Sequence, residues 1–171
     1  MNEFWAGISQ ELFGLTYITW PEMMFRIFLA CTFAMVFGLE RDSKNKPINF
    51  RAYMIVAMTS CVIAILGQEL GAEFAKDDGI LSLDLGKIIS GTLTGIGFLG
   101  AGAIMKMSDD RVIGTSTGAS VWASGGIGLT IGFGYYGLAL SAFIVLTAIL
   151  ILGGIVMKSS KNMYHDNELE N

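Results

Sequence analysis

Apolar positions in this chain fall in long unbroken runs, separated by short clusters of charge. Between positions 112 and 157 no charged residue occurs. As one helix that stretch would be about 69 Å long at about 1.5 Å per residue, more than twice the roughly 30 Å hydrocarbon core of a bilayer. It therefore predicts two spans joined at Gly132-Phe-Gly-Tyr-Tyr-Gly137, where glycine permits the reversal and tyrosine suits the interface. Uncharged runs at 52–68 and 88–105 predict two more spans, and another runs from Trp20 through Arg26 to Leu39. The pattern predicts an all-α integral membrane protein, a bundle of five transmembrane helices at about 20–40, 53–70, 87–106, 113–133 and 137–157. Together they form one transmembrane domain, 20–157. Ahead of it, Phe4, Trp5, Ile8 and Leu12 recur at helical spacing beside Glu3, Gln10 and Glu11, which predicts an interfacial segment over 1–19. That segment has no Lys or Arg and is expected to stay uncleaved. Beyond the last span, 158–171 reads as a polar tail.

Composition agrees with the run pattern. Hydrophobic residues make up 53% of the chain and charged residues 15%, against about 25% charged in a typical soluble domain. The formal net charge of −4 argues against nucleic acid as a partner, which needs a basic face. Two cysteines and one histidine supply neither a zinc framework nor a disulfide scaffold, so Cys31 and Cys61 are read as packing residues. The basic residues set the orientation, because cytoplasmic loops collect Lys and Arg. Arg41, Lys44, Lys46, Arg51, Lys106, Arg111, Lys158 and Lys161 fall on one side, and only Lys76 and Lys87 on the other. The expected topology has the amino terminus outside and the carboxyl terminus in the cytoplasm.

Arg26 stands inside the first span, where a charge is expensive and is by default a functional candidate. Glu22 lies one turn earlier on the same face and can pair with it. Two readings stand: an arginine snorkelling to the interface, and a polar contact facing the bundle interior. Continuing by fours gives Ala30, Ala34 and Gly38, a narrow stripe on which another helix can approach closely. A longer stripe on the fourth span comprises Ser116, Ser120, Ser124, Gly128 and Gly132. The third span offers Gly91 and Gly95 and then the run 95–102. Thirteen of the 22 glycines lie between Gly86 and Gly134, which predicts a tight, glycine-rich contact between the third and fourth spans, or between protomers. Broken helices lining a substrate route are the other reading of the same glycines.

Two enzyme motifs are matched by accident. Gly95, Gly97 and Gly100 satisfy a dinucleotide-binding pattern, but inside an apolar span rather than after a strand. Gly114, Ser116 and Gly118 satisfy a nucleophile-elbow pattern, yet the only histidine, His165, lies in the polar tail. Helix capping by Thr115 or Ser116 accounts for that segment, and no enzyme or bound cofactor is expected. Glu69, Glu73 and Asp77, at four-residue spacing in and after the second span, could gather Mg²⁺, a cation that needs only one or two carboxylates. A solvated acidic loop is the plainer reading.

Between the first two spans, Gly38-Leu-Glu-Arg41, Lys46-Pro47 and Phe50-Arg51-Ala-Tyr-Met54 resemble the opening of the MgtC/SapB family of bacterial inner-membrane proteins. The glycine run 95–102, the segment 112–122 and Gly126-Ile-Gly-Leu129 resemble the later motifs of that family, in the same order and spacing. The resemblance covers about 22–155 and implies an inner-membrane protein of about five helices, associated with growth in low magnesium. It implies magnesium homeostasis, with transport as one mode and regulation of another membrane protein as the alternative. The residues it singles out are Arg26, Glu40, Arg41, Arg51, Thr115 and Thr117, with Glu40 expected to pair with Arg51 across the first inner turn. Longer members carry a soluble carboxyl-terminal domain, whereas this chain stops at Asn171. Expected partners are the lipid bilayer, a second copy in a homodimer formed through the small-residue stripes, and another membrane protein.

Overall fold

A computed structural model describes residues 2–42, 48–74, 84–108 and 110–169, with side chains described as far as 156 except those of residues 2, 3, 6 and 13. Six helices and one small ribbon follow in order: α1 (Asn2–Phe13), α2 (Trp20–Asp42), α3 (Phe50–Phe74), α4 (Leu85–Gly102), β1 (Met105–Lys106), β2 (Val112–Ile113), α5 (Thr115–Gly132) and α6 (Tyr136–Leu169). Among the described residues, α2, α3 and the 136–156 part of α6 are long and apolar enough to cross a membrane. Two helices, α4 and α5, have 18 residues each, about 27 Å of helix.

The third span is shorter than the run of apolar residues suggests. Helix α4 ends at Gly102, and the chain then forms a hairpin pairing Met105 with Ile113 and Lys106 with Val112. Asp110 turns it at φ 63°, and Lys106 reaches the Asp110 carboxylate at 2.7 Å. The ribbon is two residues on each side and leaves the all-α architecture in place. At the other end, α6 continues through 158–169 where a tail was expected.

Helix α5 is the central element. It packs most extensively on α3, then on α4, and also touches α2 and α6. Its apolar and small residues are spread around the whole circumference, the pattern of a helix surrounded by others. Helix α6 is the opposite: Leu140, Ile144, Ile151 and Ile155 are exposed, so its surface suits lipid.

The small-residue stripe of α5 faces α3. Ser124 Oγ donates to the Tyr53 carbonyl at 3.0 Å. A Cβ on Gly128 would stand 2.3 Å from the Ala57 carbonyl oxygen, and one on Gly132 2.5 Å from that of Cys61. Each step of four along α5 matches four along α3, so the two helices run parallel with their backbones in contact. Between the third and fourth spans the glycines meet at Gly100 and Gly118, where a Cβ on either would meet the other's carbonyl, and Ile96 packs against Gly125 farther along. Gly91 and Gly95 are exposed and have nothing within 4 Å of a Cβ among the described residues. The stripe on α2 is buried as the spacing predicts, with Ala30 and Ala34 at the core and Gly38 so close that a Cβ would stand 2.6 Å from the Phe50 Cα.

Gly126 lies on the same helix as Gly128 but has open space at its Cβ. Both would gain up to about 1 kcal/mol of helix propensity on conversion to alanine. Gly126→Ala should therefore hold or raise the thermal midpoint in detergent. Gly128→Ala should lower stability by about 1–3 kcal/mol through overpacking against the Ala57 carbonyl.

Candidate functional site

Helix α5 ends in a Schellman turn. Gly134, at φ 82°, donates to the Ile131 carbonyl, and Tyr135 N donates to that of Thr130 at 3.0 Å. This is the reversal expected at 132–137. The turn satisfies the carbonyls of Thr130 and Ile131 and leaves that of Gly132 over. Arg26 takes it: its Nη1 donates to Gly132 O at 2.6 Å. Gln68 Nε2 donates to the same oxygen at 2.8 Å.

The rest of the guanidinium is bound as well. Nε donates to Tyr136 Oη at 3.0 Å, Nη1 reaches Gln68 Oε1 at 3.3 Å, and Nη2 pairs with Glu22 at 2.5 Å. The side chain is 7% exposed and Glu22 is 43% exposed, so the ion pair opens to solvent on the carboxylate side only. Of the two readings of Arg26, the interior contact is the one realised. One residue joins α2, α3, the end of α5 and the start of α6, and its positive charge meets the negative end of the α5 dipole.

Sequence reasoning missed Gln68 and Tyr136, although both carried a signal. Gln68 closes the second uncharged run, and Tyr136 lies in the predicted turn; a polar group inside a span's last turns needs a partner.

At the opposite end of α2, Glu40 and Arg41 pair with each other, Arg41 Nε lying 3.0 Å from Glu40 Oε2. The expected pairing of Glu40 with Arg51 is not formed. Arg51 is exposed, with its guanidinium 6.0 Å from the centroid of the Phe50 ring and its N–H capped by Asn49. Arg41 is 6% exposed and Tyr53 wholly buried, and among the described residues the Tyr53 hydroxyl has no hydrogen-bond partner. Thr117 is buried in the first turn of α5, whereas Thr115 and Ser116 are exposed. The expected side-chain cap there is absent: Gly114 holds the N-cap at φ 90° without a side-chain bond. A Cβ at Gly114 would stand 1.8 Å from the Ala103 carbonyl oxygen. That contact and the Gly100–Gly118 crossing account for Gly100, Gly114 and Gly118 of the two accidental motifs. Ser120 donates to the Ser116 carbonyl within its own helix.

Of the three carboxylates suggested for Mg²⁺, the structure describes Glu69 and Glu73. Glu69 turns away from the solvent and accepts hydrogen bonds from the backbone N–H groups of Thr16, Tyr17 and Ile18 at 2.7–3.2 Å and from the Thr16 hydroxyl at 3.2 Å. Both of its oxygens are thereby occupied. Glu73 is exposed, and Asp77 lies outside the described residues. Among the described residues no group of three metal-binding side chains converges.

Arg26→Met removes the charge-assisted bonds to Gly132 O, Tyr136 and Glu22 while keeping most of the side-chain volume. The expected loss is about 1.5–3 kcal/mol of stability, read by thermal unfolding in detergent. Arg26→Lys should recover only part of it, because an ammonium cannot reproduce the planar fork.

The MgtC family profile matches residues 27–158. Protein SapB of Bacillus subtilis is 29% identical over 150 residues, which cover 87% of this chain and 64% of that protein. The putative magnesium transporter YhiD of Escherichia coli K12 is 27% identical, covering 84% of this chain and 66% of YhiD. Protein MgtC of Salmonella typhimurium LT2 is 31% identical over 115 residues, 67% of this chain and 45% of MgtC. The chain thus spans two thirds or less of the length of these relatives. No solved structure matches it. With the motif order, the membrane-length helices and the family match in agreement, the chain belongs to the MgtC family of bacterial membrane proteins.

Proposed function

We propose that this protein serves magnesium homeostasis from within the bacterial inner membrane. Family membership supports the reading, as does the name of its E. coli relative, a putative magnesium transporter. In this reading α2 to α6 each cross the bilayer, the 18-residue helices α4 and α5 nearly matching its hydrocarbon thickness at about 27 Å. The side rich in Lys and Arg then faces the cytoplasm and the amino terminus lies outside.

One observation favours regulation of another membrane protein over ion transport by this chain itself. The first span's charge is consumed in holding helices together: every nitrogen of Arg26 has a protein partner. Along α5, Gly128 and Gly132 are in backbone contact with α3, and Ser124 is hydrogen-bonded to it. The open surfaces face outward instead. Gly91 and Gly95 form a small-residue stripe on α4 with nothing packed on it among the described residues. An apolar groove of about 500 Å³ lies between α4, α5 and α6, floored by Ala123, Gly126 and Thr130.

Reconstituted into proteoliposomes, the protein should therefore admit Mg²⁺ no faster than protein-free vesicles, while its loss from cells impairs growth at low magnesium. Saturable uptake that Arg26→Ala abolishes would establish a carrier and overturn the regulatory mode. The outward stripe on α4 is where a second copy fits. A Cβ at Gly95 has nothing within 4 Å among the described residues, so Gly95→Leu should leave the monomer folded yet lower the crosslinked dimer at least severalfold. An unchanged dimer yield would place the interface elsewhere.

A further inference from the structure

Residues 14–18 connect α1 to α2 by a route that composition alone does not suggest. Helix α1 ends on Gly14 at φ 66°, and the next turn presents the N–H groups of Thr16, Tyr17 and Ile18 to one point. Successive N–H groups converging in this way form a concavity suited to an anion. The anion is Glu69, more than fifty positions later in the sequence and only 9% exposed. It accepts from Thr16 N at 2.8 Å, Tyr17 N at 3.0 Å and Ile18 N at 2.7 Å, with the Thr16 hydroxyl added. Ile18 is carried into the core as a result, at 2% exposure.

The segment is also attached to α2. Trp5 stacks on Trp20, and the Trp20 N–H donates to Ser9 Oγ at 2.7 Å, which ties α1 to the start of α2 rather than to α3. Phe4, Leu12 and Tyr17 are 64%, 73% and 65% exposed. A segment with so little buried apolar surface can open locally while the bundle stays folded. Among the described residues, the hydrogen bonds of Thr16, Tyr17 and Ile18 to α3 all go to one carboxylate, beside the buried side chain of Ile18.

We propose that residues 2–19 form a strap latched to the Arg26 end of the bundle by Glu69, and that protonation of Glu69 releases it. The chemistry lies in the donor set. A carboxylate offers acceptors on both oxygens, whereas a carboxylic acid has one hydroxyl that must donate. Every group facing Glu69 here is itself a backbone or hydroxyl donor, and the backbone ones have nothing to accept with. Protonation therefore forfeits the bonds on one oxygen and sets an O–H against N–H groups.

Other titratable groups at this end are otherwise engaged or exposed. Glu22 and Arg26 pair on α2, Asp84 and Lys87 pair at the start of α4, and Tyr136 is bound to Arg26. Glu73 on α3, Glu11 and Tyr17 on the strap and Tyr135 ahead of α6 are exposed. None of these side chains is hydrogen-bonded to Glu69 among the described residues. The latch is therefore closed at neutral pH and opens as the pH falls through the titration of this one group.

Hydrogen exchange of the full chain in nanodiscs tests this directly, because the amides of Thr16, Tyr17 and Ile18 are the latch donors. Glu69→Gln mimics the protonated acid. At neutral pH those three amides should exchange at least tenfold faster in Glu69→Gln than in the unsubstituted protein, with the α5 amides unchanged. On acidification, after correction for intrinsic exchange, the unsubstituted protein should reach the Glu69→Gln rate. Equal protection of the three amides in both proteins overturns the proposal. So does a strap that loosens only together with α5, since that is global unfolding. Should Glu69→Gln fail to fold, the acid titration of the unsubstituted protein decides between the same two outcomes.

Discussion

Two parallel helices in backbone contact set the terms for everything else in this molecule. Helices α3 and α5 approach so closely that the Gly128 and Gly132 positions have no room for a Cβ. Lipid offers no hydrophobic drive for helices to associate, so close van der Waals approach and interhelical hydrogen bonds must hold the pair. The Ser124 bond to the Tyr53 carbonyl is one such contact, made within the same stripe. A helix pair this close brings a polar consequence with it. The last carbonyl of α5, at Gly132, sits against α3 where water has little access, and an unpaired carbonyl there would cost several kcal/mol in a hydrocarbon surrounding. Arg26 and Gln68 are the answer to that cost, and their convergence on one oxygen is a consequence of the close approach.

The charge in the first span is thus explained by the backbone it serves. An arginine in a membrane helix invites a reading in terms of ions and pathways. Here its donors are distributed over a backbone carbonyl, an amide, a phenol and a carboxylate, each from a different part of the chain. Such a residue is bound too firmly to its surroundings to serve as a mobile or exchanging ligand. The same consideration applies to Glu69. Its spacing with Glu73 and Asp77 suggests a cation site, but its oxygens are directed at N–H groups.

Sequence periodicity reveals the helices and the reversal at 132–137 because both depend on local chemistry: run length, glycine and interfacial tyrosine. The stripes at 30–34–38 and 120–124–128–132 are also legible, since four-residue spacing fixes a common face. Spacing does not reveal which helix a stripe meets. Gly91 and Gly95 have the same pattern as Gly128 and Gly132, yet one pair faces outward and the other is buried. The pairings Glu22–Arg26 and Glu40–Arg41 lie within a turn of one helix, and the first was readable for that reason. The contacts that escaped, Gln68 with Gly132 and Glu69 with Thr16–Ile18, bridge dozens of residues and involve backbone groups. Backbone groups carry no sequence identity, so no pattern of side chains announces them.

Gln68 and Glu69 are neighbours, and their divergent roles link the bundle interior to the strap. Consecutive residues on a helix point about 100° apart, so a single turn of α3 can face the bundle with one side chain and the strap with the next. Gln68 holds the last carbonyl of α5, and Glu69 holds the strap. Any displacement of that turn on release of the strap acts on the Gly132 carbonyl through the adjacent residue, and hence on Arg26 and Tyr136. The converse also holds, because coupling between two sites is reciprocal in free energy. A change in how α5 seats against α3 alters the position from which Glu69 reaches its three N–H donors. One turn of α3 thus connects the strap to the packed interior of the bundle.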